Sequence, residues 1–162
     1  MAEIRETEAS KRLYAIQRRN LYPFLSKEEM EGWMEDEGPL RIRWFKAIEG
    51  GKTVALAAWE VYDIHQYVEG GPRIIILDLY TMEVEEEFRG QGIGGRLFVE
   101  SLKQTIESLE EAGFAVGALQ IETDTARGFY EKVLDKSGFN WKLETREMVK
   151  GHPFYVFWVT RF

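Results

Sequence analysis

The sequence predicts an α+β fold: a single domain over residues 1–162, built on a mixed, mostly antiparallel sheet flanked by about four helices. Three observations predict it. Between Leu40 and Val84, strand-forming runs are separated by Gly50-Gly51 and by Gly70-Gly71-Pro72, both of which read as turns. From Ile93 to Ala112, Phe98, Leu102, Ile106 and Leu109 recur at helical spacing, and Gly113 stands where a C-terminal cap belongs. The strand that follows, Ala115 to Glu122, comes after a crossover helix and is therefore expected parallel to the strand before it.

Each element has its own signal. Residues from about Thr7 to Asn20 read as a helix with Ala9, Leu13 and Ile16 on one face, stopped by Pro23. Ser26-Lys27-Glu28-Glu29 is a capping-box pattern opening a short second helix that carries Met30, Trp33 and Met34. Three strands follow: Leu40 to Ile48, Thr53 to Tyr62 and Arg73 to Val84. In the last of these Ile74-Ile75-Ile76-Leu77 is apolar on both faces, as in a central strand. Asp63 to Gly71, including His65, reads as a loop, and Glu85-Glu86-Glu87 as a solvated one. Beyond Glu122 come a helix from Thr125 to about Lys136, a strand from Trp141 to Met148 and an apolar strand from Phe154 to Val159.

Composition narrows the function classes. A net charge of −7 argues against broad nucleic-acid binding, which needs a basic surface. No apolar run approaches the ~20 residues of a membrane span. The charged start, Met1-Ala2-Glu3-Ile4-Arg5-Glu6, lacks the apolar stretch of a signal peptide, so a cytoplasmic protein is expected. With no cysteine there is neither a disulfide framework nor thiolate chemistry, and two isolated histidines make no metal site. The apolar C-terminal strand offers one route to a homodimer.

The richest stretch is Arg89-Gly90-Gln91-Gly92-Ile93-Gly94-Gly95-Arg96, between a strand and a helix. Half of its residues are glycine, so the backbone can approach a ligand closely. The helix that follows begins with unpaired N–H groups and the positive end of its dipole, a place for a phosphate. The two arginines add charge-assisted donors. Gly90, Gly92 and Gly95 satisfy the dinucleotide pattern G-x-G-x-x-G, which alone is weak. It belongs after the first strand of a βαβ unit, whereas a meander precedes it here. A P-loop fails because no Gly-Lys-Ser/Thr follows. A tight turn without any ligand is the plainest alternative.

A wider pattern accounts for more of the chain. Val84, four residues and then Arg89-Gly90-Gln91-Gly92-Ile93-Gly94 resembles the pyrophosphate-binding turn of the GCN5-related N-acetyltransferases, and Ala126-Arg127-Gly128-Phe129-Tyr130-Glu131-Lys132 with Ser137-Gly138-Phe139 resembles a later segment of the same family. The order of elements agrees in outline over about residues 5 to 162. The resemblance implies acetyl-CoA as co-substrate, its pyrophosphate held at Arg89 to Arg96 and its pantetheine arm lying where the strand before the turn splays from its parallel neighbour. Backbone groups of Met82 and Val84 would then pair with that arm. In this family an asparagine often stands where this chain has Thr123, which still offers a hydroxyl. The chain is also a few residues longer than usual between Tyr130 and Gly138.

Acetyl transfer to an amine by direct attack needs a held thioester, a base for the ammonium proton and a donor for the leaving thiolate. By match to the family tyrosine, Tyr130 is the candidate donor; a packed aromatic is its alternative. Candidate bases are Asp78, embedded in the apolar strand Ile74–Tyr80, where desolvation would raise its pKa, and sharing a face with Tyr80, Met82 and Val84, and Glu83, on the opposite face unless a bulge intervenes. A carboxylate satisfied by backbone or an arginine is the alternative for both. A non-catalytic acyl-CoA-binding sensor is the competing function. The amine acceptor, a small molecule or a protein amine, leaves no transferable signal.

Overall fold

The computed structural model describes residues 2–7, 42–67, 73–123, 125–147 and 153–161. Among the described residues, seven strands lie in the hydrogen-bonded order β1-β2-β3-β4-β5-β7-β6: β1 (Glu3–Thr7), β2 (Ile42–Glu49), β3 (Lys52–Tyr67), β4 (Arg73–Val84), β5 (Phe114–Thr123), β6 (Asn140–Glu147) and β7 (Pro153–Arg161). Two α-helices accompany them among the described residues, α1 (Ile93–Glu111) and α2 (Arg127–Lys136). The expectation of about four helices is met only by these two; the helices expected near 7–20 and 26–34 fall outside the described residues, apart from Thr7 itself. Thr7 is a correction, because it ends β1 rather than opening a helix. Glu3 to Thr7 pairs antiparallel with Ile48 to Trp44, and this pairing across a long sequence separation overrides a polar, locally ambiguous stretch.

The chain divides into two compact units, Met1–Glu60 with Tyr80–Glu107, and Val61–Leu79 with Ser108–Phe162. In the first, the Gly50-Gly51 turn, with φ of 58° and 78°, joins β2 to β3 in an antiparallel pair. Left-handed backbone at both positions is what a tight hairpin demands and what glycine supplies without strain. The core gathers Phe45, Leu56, Trp59, Leu97, Phe98 and Leu102, all essentially inaccessible. The Trp59 and Phe98 rings lie 5.5 Å apart, and the Trp59 Nε1–H donates to Ser101 Oγ at 2.8 Å, so the buried indole is both packed and satisfied. This fixes the first half of α1 against β3.

In the second unit β4 and β5 run parallel, from Arg73 opposite Phe114 to Asp78 opposite Gln120, as the crossover predicted. Gly117 is the extra residue of a bulge, between Val116 opposite Ile75 and Ala118 opposite Ile76. β7 lies between β5 and β6, antiparallel to both, so strands of its own chain flank it on either side. Leu119, Ile121, Phe157 and Val159 are buried, and Tyr130 and Trp141 pack their rings on Phe157 at 6.2 and 5.3 Å. Gly138, at φ 72°, closes α2, and Phe139 N–H donates to the Leu134 carbonyl at 3.0 Å. β3 runs on to Tyr67, so the loop expected over Asp63 to Gly71 is corrected over 63–67, where the backbone, His65 included, is strand; 68–71 lie outside the described residues.

Candidate functional site

The strand β4 hands the chain to the glycine turn through a short anchored link. Glu85 N–H donates to the Val54 carbonyl at 2.8 Å, tying the end of β4 to the start of β3. Glu86–Phe88 then forms one 3-10 turn. Lys52 reaches Glu85 at 3.3 Å and Glu87 at 3.1 Å, and its Nζ lies 5.7 Å from the centre of the Phe88 ring. These carboxylates raise the affinity of Lys52 for its proton, Glu87 most. Of the solvated loop expected at Glu85-Glu86-Glu87, Glu86 and Glu87 are exposed, while Glu85 is a correction: it is buried, because its backbone bond to Val54 draws it in beside Lys52.

The turn itself has the geometry of an anion cradle. Gly90 and Gly92 take φ of 80° and 79°, and a Cβ built on either meets nothing within 4 Å. Glycine is required there by backbone conformation, and the space in front is open. The first intrahelical bond of α1 runs from Arg96 N–H to the Gly92 carbonyl at 3.2 Å, so the amides of Ile93, Gly94 and Gly95 precede any acceptor within the helix. Gly90, Gln91 and Gly92 are exposed, Gly94 and Gly95 half-buried, and Ile93 is buried with Leu97 and Phe98, which pin the helix start. No acidic residue occupies the first turn of α1, leaving the positive end of its dipole unopposed there.

Side chains around the turn are organised. Arg89 Nε–H donates to the Val84 carbonyl at 2.9 Å, and its Nη2 lies 3.9 Å from Glu83 Oε2. Glu83 is largely covered, and burial pushes its carboxyl up to about 7 while Arg89 pulls the other way. Met82 and Val84 are half-buried. Arg96, the other bracket of the run, donates to the Ala2 carbonyl at 3.1 Å and lies 3.7 Å from Glu100, so it also fastens the start of the chain to α1.

The remaining candidates belong to the second unit. Asp78 is half-buried on β4 opposite Gln120, the last pair in the parallel register. β4 continues from there to Val84 and β5 to Thr123. Thr123 Oγ1 accepts from Ala126 N–H at 3.0 Å, stabilising the entry to α2, and its hydroxyl proton still has a donor direction to offer. Tyr130 is buried on α2 between Phe129, at 5.1 Å, and Phe157.

A family model described as an acetyltransferase (GNAT) domain matches residues 41–133, more than half of the 162-residue chain. The chain belongs to the GNAT acetyltransferase family. Solved structures share the fold at low identity. A crystal structure of Arabidopsis thaliana NAA60 in complex with acetyl-CoA aligns with a TM-score of 0.69 and 12% identity, covering 100% of this chain and 99% of that one. A GNAT-family acetyltransferase from Streptococcus pneumoniae gives 0.65 and 18%, covering 99% of each chain. The Escherichia coli ribosomal-protein-S18-alanine N-acetyltransferase gives 0.63 and 18%, over 99% of this chain and 94% of that one. No curated protein sequence matches this one significantly. In this GNAT chain the residues that sequence reasoning missed are Lys52 and Val54, which hold the approach to the turn. Their only signal was a lysine just after a Gly-Gly hairpin and an acidic run 33 residues on, from Lys52 to Glu85, which has no meaning until the strands pair.

Proposed function

We propose that the protein is an N-acetyltransferase that moves an acetyl group from acetyl-CoA to a primary amine by direct attack. The observation that carries this reading is the turn from Arg89 to Gly95: two left-handed glycines facing open space, followed by three helix-start amides with no acidic residue beside them. Such a cradle fits a pyrophosphate, and the family membership makes acetyl-CoA its natural source. Residues assigned to the co-substrate are Arg89 to Arg96, with backbone groups of Met82 and Val84 along the pantetheine arm and Thr123 as a hydroxyl donor.

The chemistry then falls to few side chains. A lysine-type ammonium, with an unperturbed pKa near 10.4, must lose a proton before its nitrogen can attack. Glu83 is the better-supported base, since a carboxyl held at about 7 is half-ionised at neutral pH and strong enough to accept that proton. Asp78 is the second carboxylate in reach of the same role by sequence, as a base or as a ligand for the amine. Tyr130 is proposed to protonate the departing thiolate. With no cysteine, no thiolate of this chain can carry the acetyl group, which accords with direct attack.

The test is release of free CoA thiol from acetyl-CoA with small amines, lysine peptides and peptides bearing a free α-amine. Turnover with at least one of them is expected. If no amine gives turnover while acetyl-CoA still raises the melting temperature, the chain is an acyl-CoA sensor and the enzyme reading fails.

A further inference from the structure

Two contacts made by one side chain connect the glycine turn to the acid that precedes it. Arg89 opens the turn. Its Nε–H is fixed to the Val84 carbonyl at 2.9 Å, and this holds the far end of the guanidinium 3.9 Å from Glu83 Oε2. A planar guanidinium can make both contacts at once because its donors diverge in a rigid fork. We propose that Arg89 is a positioning residue: through this fork it fixes the end of β4 and sets the pH at which Glu83 ionises, so that the same residue that heads the cofactor turn poises the base. This rests on Glu83 being the base.

Other charges near this end of β4 are committed elsewhere. Lys52, from the β2–β3 hairpin, is held by Glu85 and Glu87 at 3.3 and 3.1 Å. Arg96, from α1, is held by Glu100 and the Ala2 carbonyl. On β4 itself the next carboxylate upstream is Asp78, five residues away, and Glu85 follows two residues after Glu83, drawn toward Lys52. Among the described residues, Arg89 is the cation within ion-pair reach of Glu83. The pair is partly solvated, with Arg89 half exposed, so its influence is that of a surface charge about 4 Å away: enough to move a titration by roughly half to one pH unit.

The test follows the Glu83 carboxyl carbon by NMR in glutamate-labelled protein, with Glu83→Gln assigning the resonance. Wild type is expected to titrate near 7. Arg89→Gln should raise the midpoint by roughly half to one pH unit, and Arg89→Lys, which keeps the charge, should raise it less. An unchanged or lowered midpoint in Arg89→Gln, or equal shifts in the two variants, overturns the inference. Turnover separates the two layers. If Glu83→Gln keeps the acidic limb of the rate profile, the base assignment fails and Arg89's positioning role falls with it. If Glu83→Gln abolishes that limb while Arg89→Gln leaves the titration in place, only the role of Arg89 fails.

Discussion

Gly92 offers the sharpest perturbation of the cradle, because two effects can be separated by comparing two substitutions. At φ 79° any side chain is in the left-handed region, which costs about 1–2 kcal/mol, and nothing within 4 Å adds a clash. Gly92→Ala should therefore lower the melting temperature by roughly 2–8 °C at the ~2–4 °C per kcal/mol expected for this size, and Gly92→Asp by no more, since Asp tolerates the left-handed region better. What they do not share is charge. A carboxylate at Gly92 sits at the N-terminus of α1, where a phosphate would bind. A like charge about 4 Å from another costs between ~1 kcal/mol in a water-like medium and ~4 kcal/mol near a protein surface. Gly92→Asp should thus bind acetyl-CoA at least fivefold more weakly than Gly92→Ala, read by isothermal titration calorimetry with both proteins checked for folding. Equal affinities for the two variants would mean that no anion lies against this helix start, and the cradle would be only a turn.

Stability experiments probe the scaffold behind the site. Ser101→Ala removes the acceptor of the buried Trp59 indole N–H and should cost about 1–3 kcal/mol by urea denaturation, whereas a change under a few tenths would show the bond to be idle. Thr123→Val loses the hydroxyl that accepts from Ala126 N–H just before α2 and should cost about 1 kcal/mol, with Thr123→Ser close to wild type. Glu83 predicts a pH dependence of defined sign. Its folded value, about 7, lies above the usual carboxylate value of 4.5, so between those values the folded state holds the extra proton. Stability is full below pH 4.5 and falls as pH rises through 7. Glu83→Gln should remove up to about 2 kcal/mol of that fall between pH 5 and pH 8, after allowing for screening of a partly solvated group. Parallel stability curves for the two proteins would contradict the raised ionisation of Glu83.

Local signals in the sequence carried much of this architecture. Glycine announced the hairpin at Gly50-Gly51, the cap at Gly113 and the turn at Gly90 and Gly92, because only glycine is relaxed at positive φ. Helical periodicity located α1, and the crossover rule gave the parallel pairing of β4 and β5. What escaped depends on contacts between distant residues. β1 is short and polar and exists through its pairing with β2, so it gave no strand signal and its last residue, Thr7, read locally as a helix start. The bond from Arg96 to the Ala2 carbonyl spans 94 residues and has no sequence signature. The apolar run around Asp78 pointed to that carboxyl as the desolvated one, and its Oδ1 is buried. Glu83 stands at the less apolar end of the strand, and its covering had no local signal.

The central claim is that this chain joins an acetyl group from acetyl-CoA to an amine at the Arg89–Gly95 turn. Mass spectrometry of the acceptor, with CoA thiol quantified in the same sample, tests it most directly. Wild type should give one acetylated amine for each CoA released, and Gly92→Asp should give far less at the same acetyl-CoA concentration. Thiol released without any acetylated amine, or equal product from the two proteins, would contradict it.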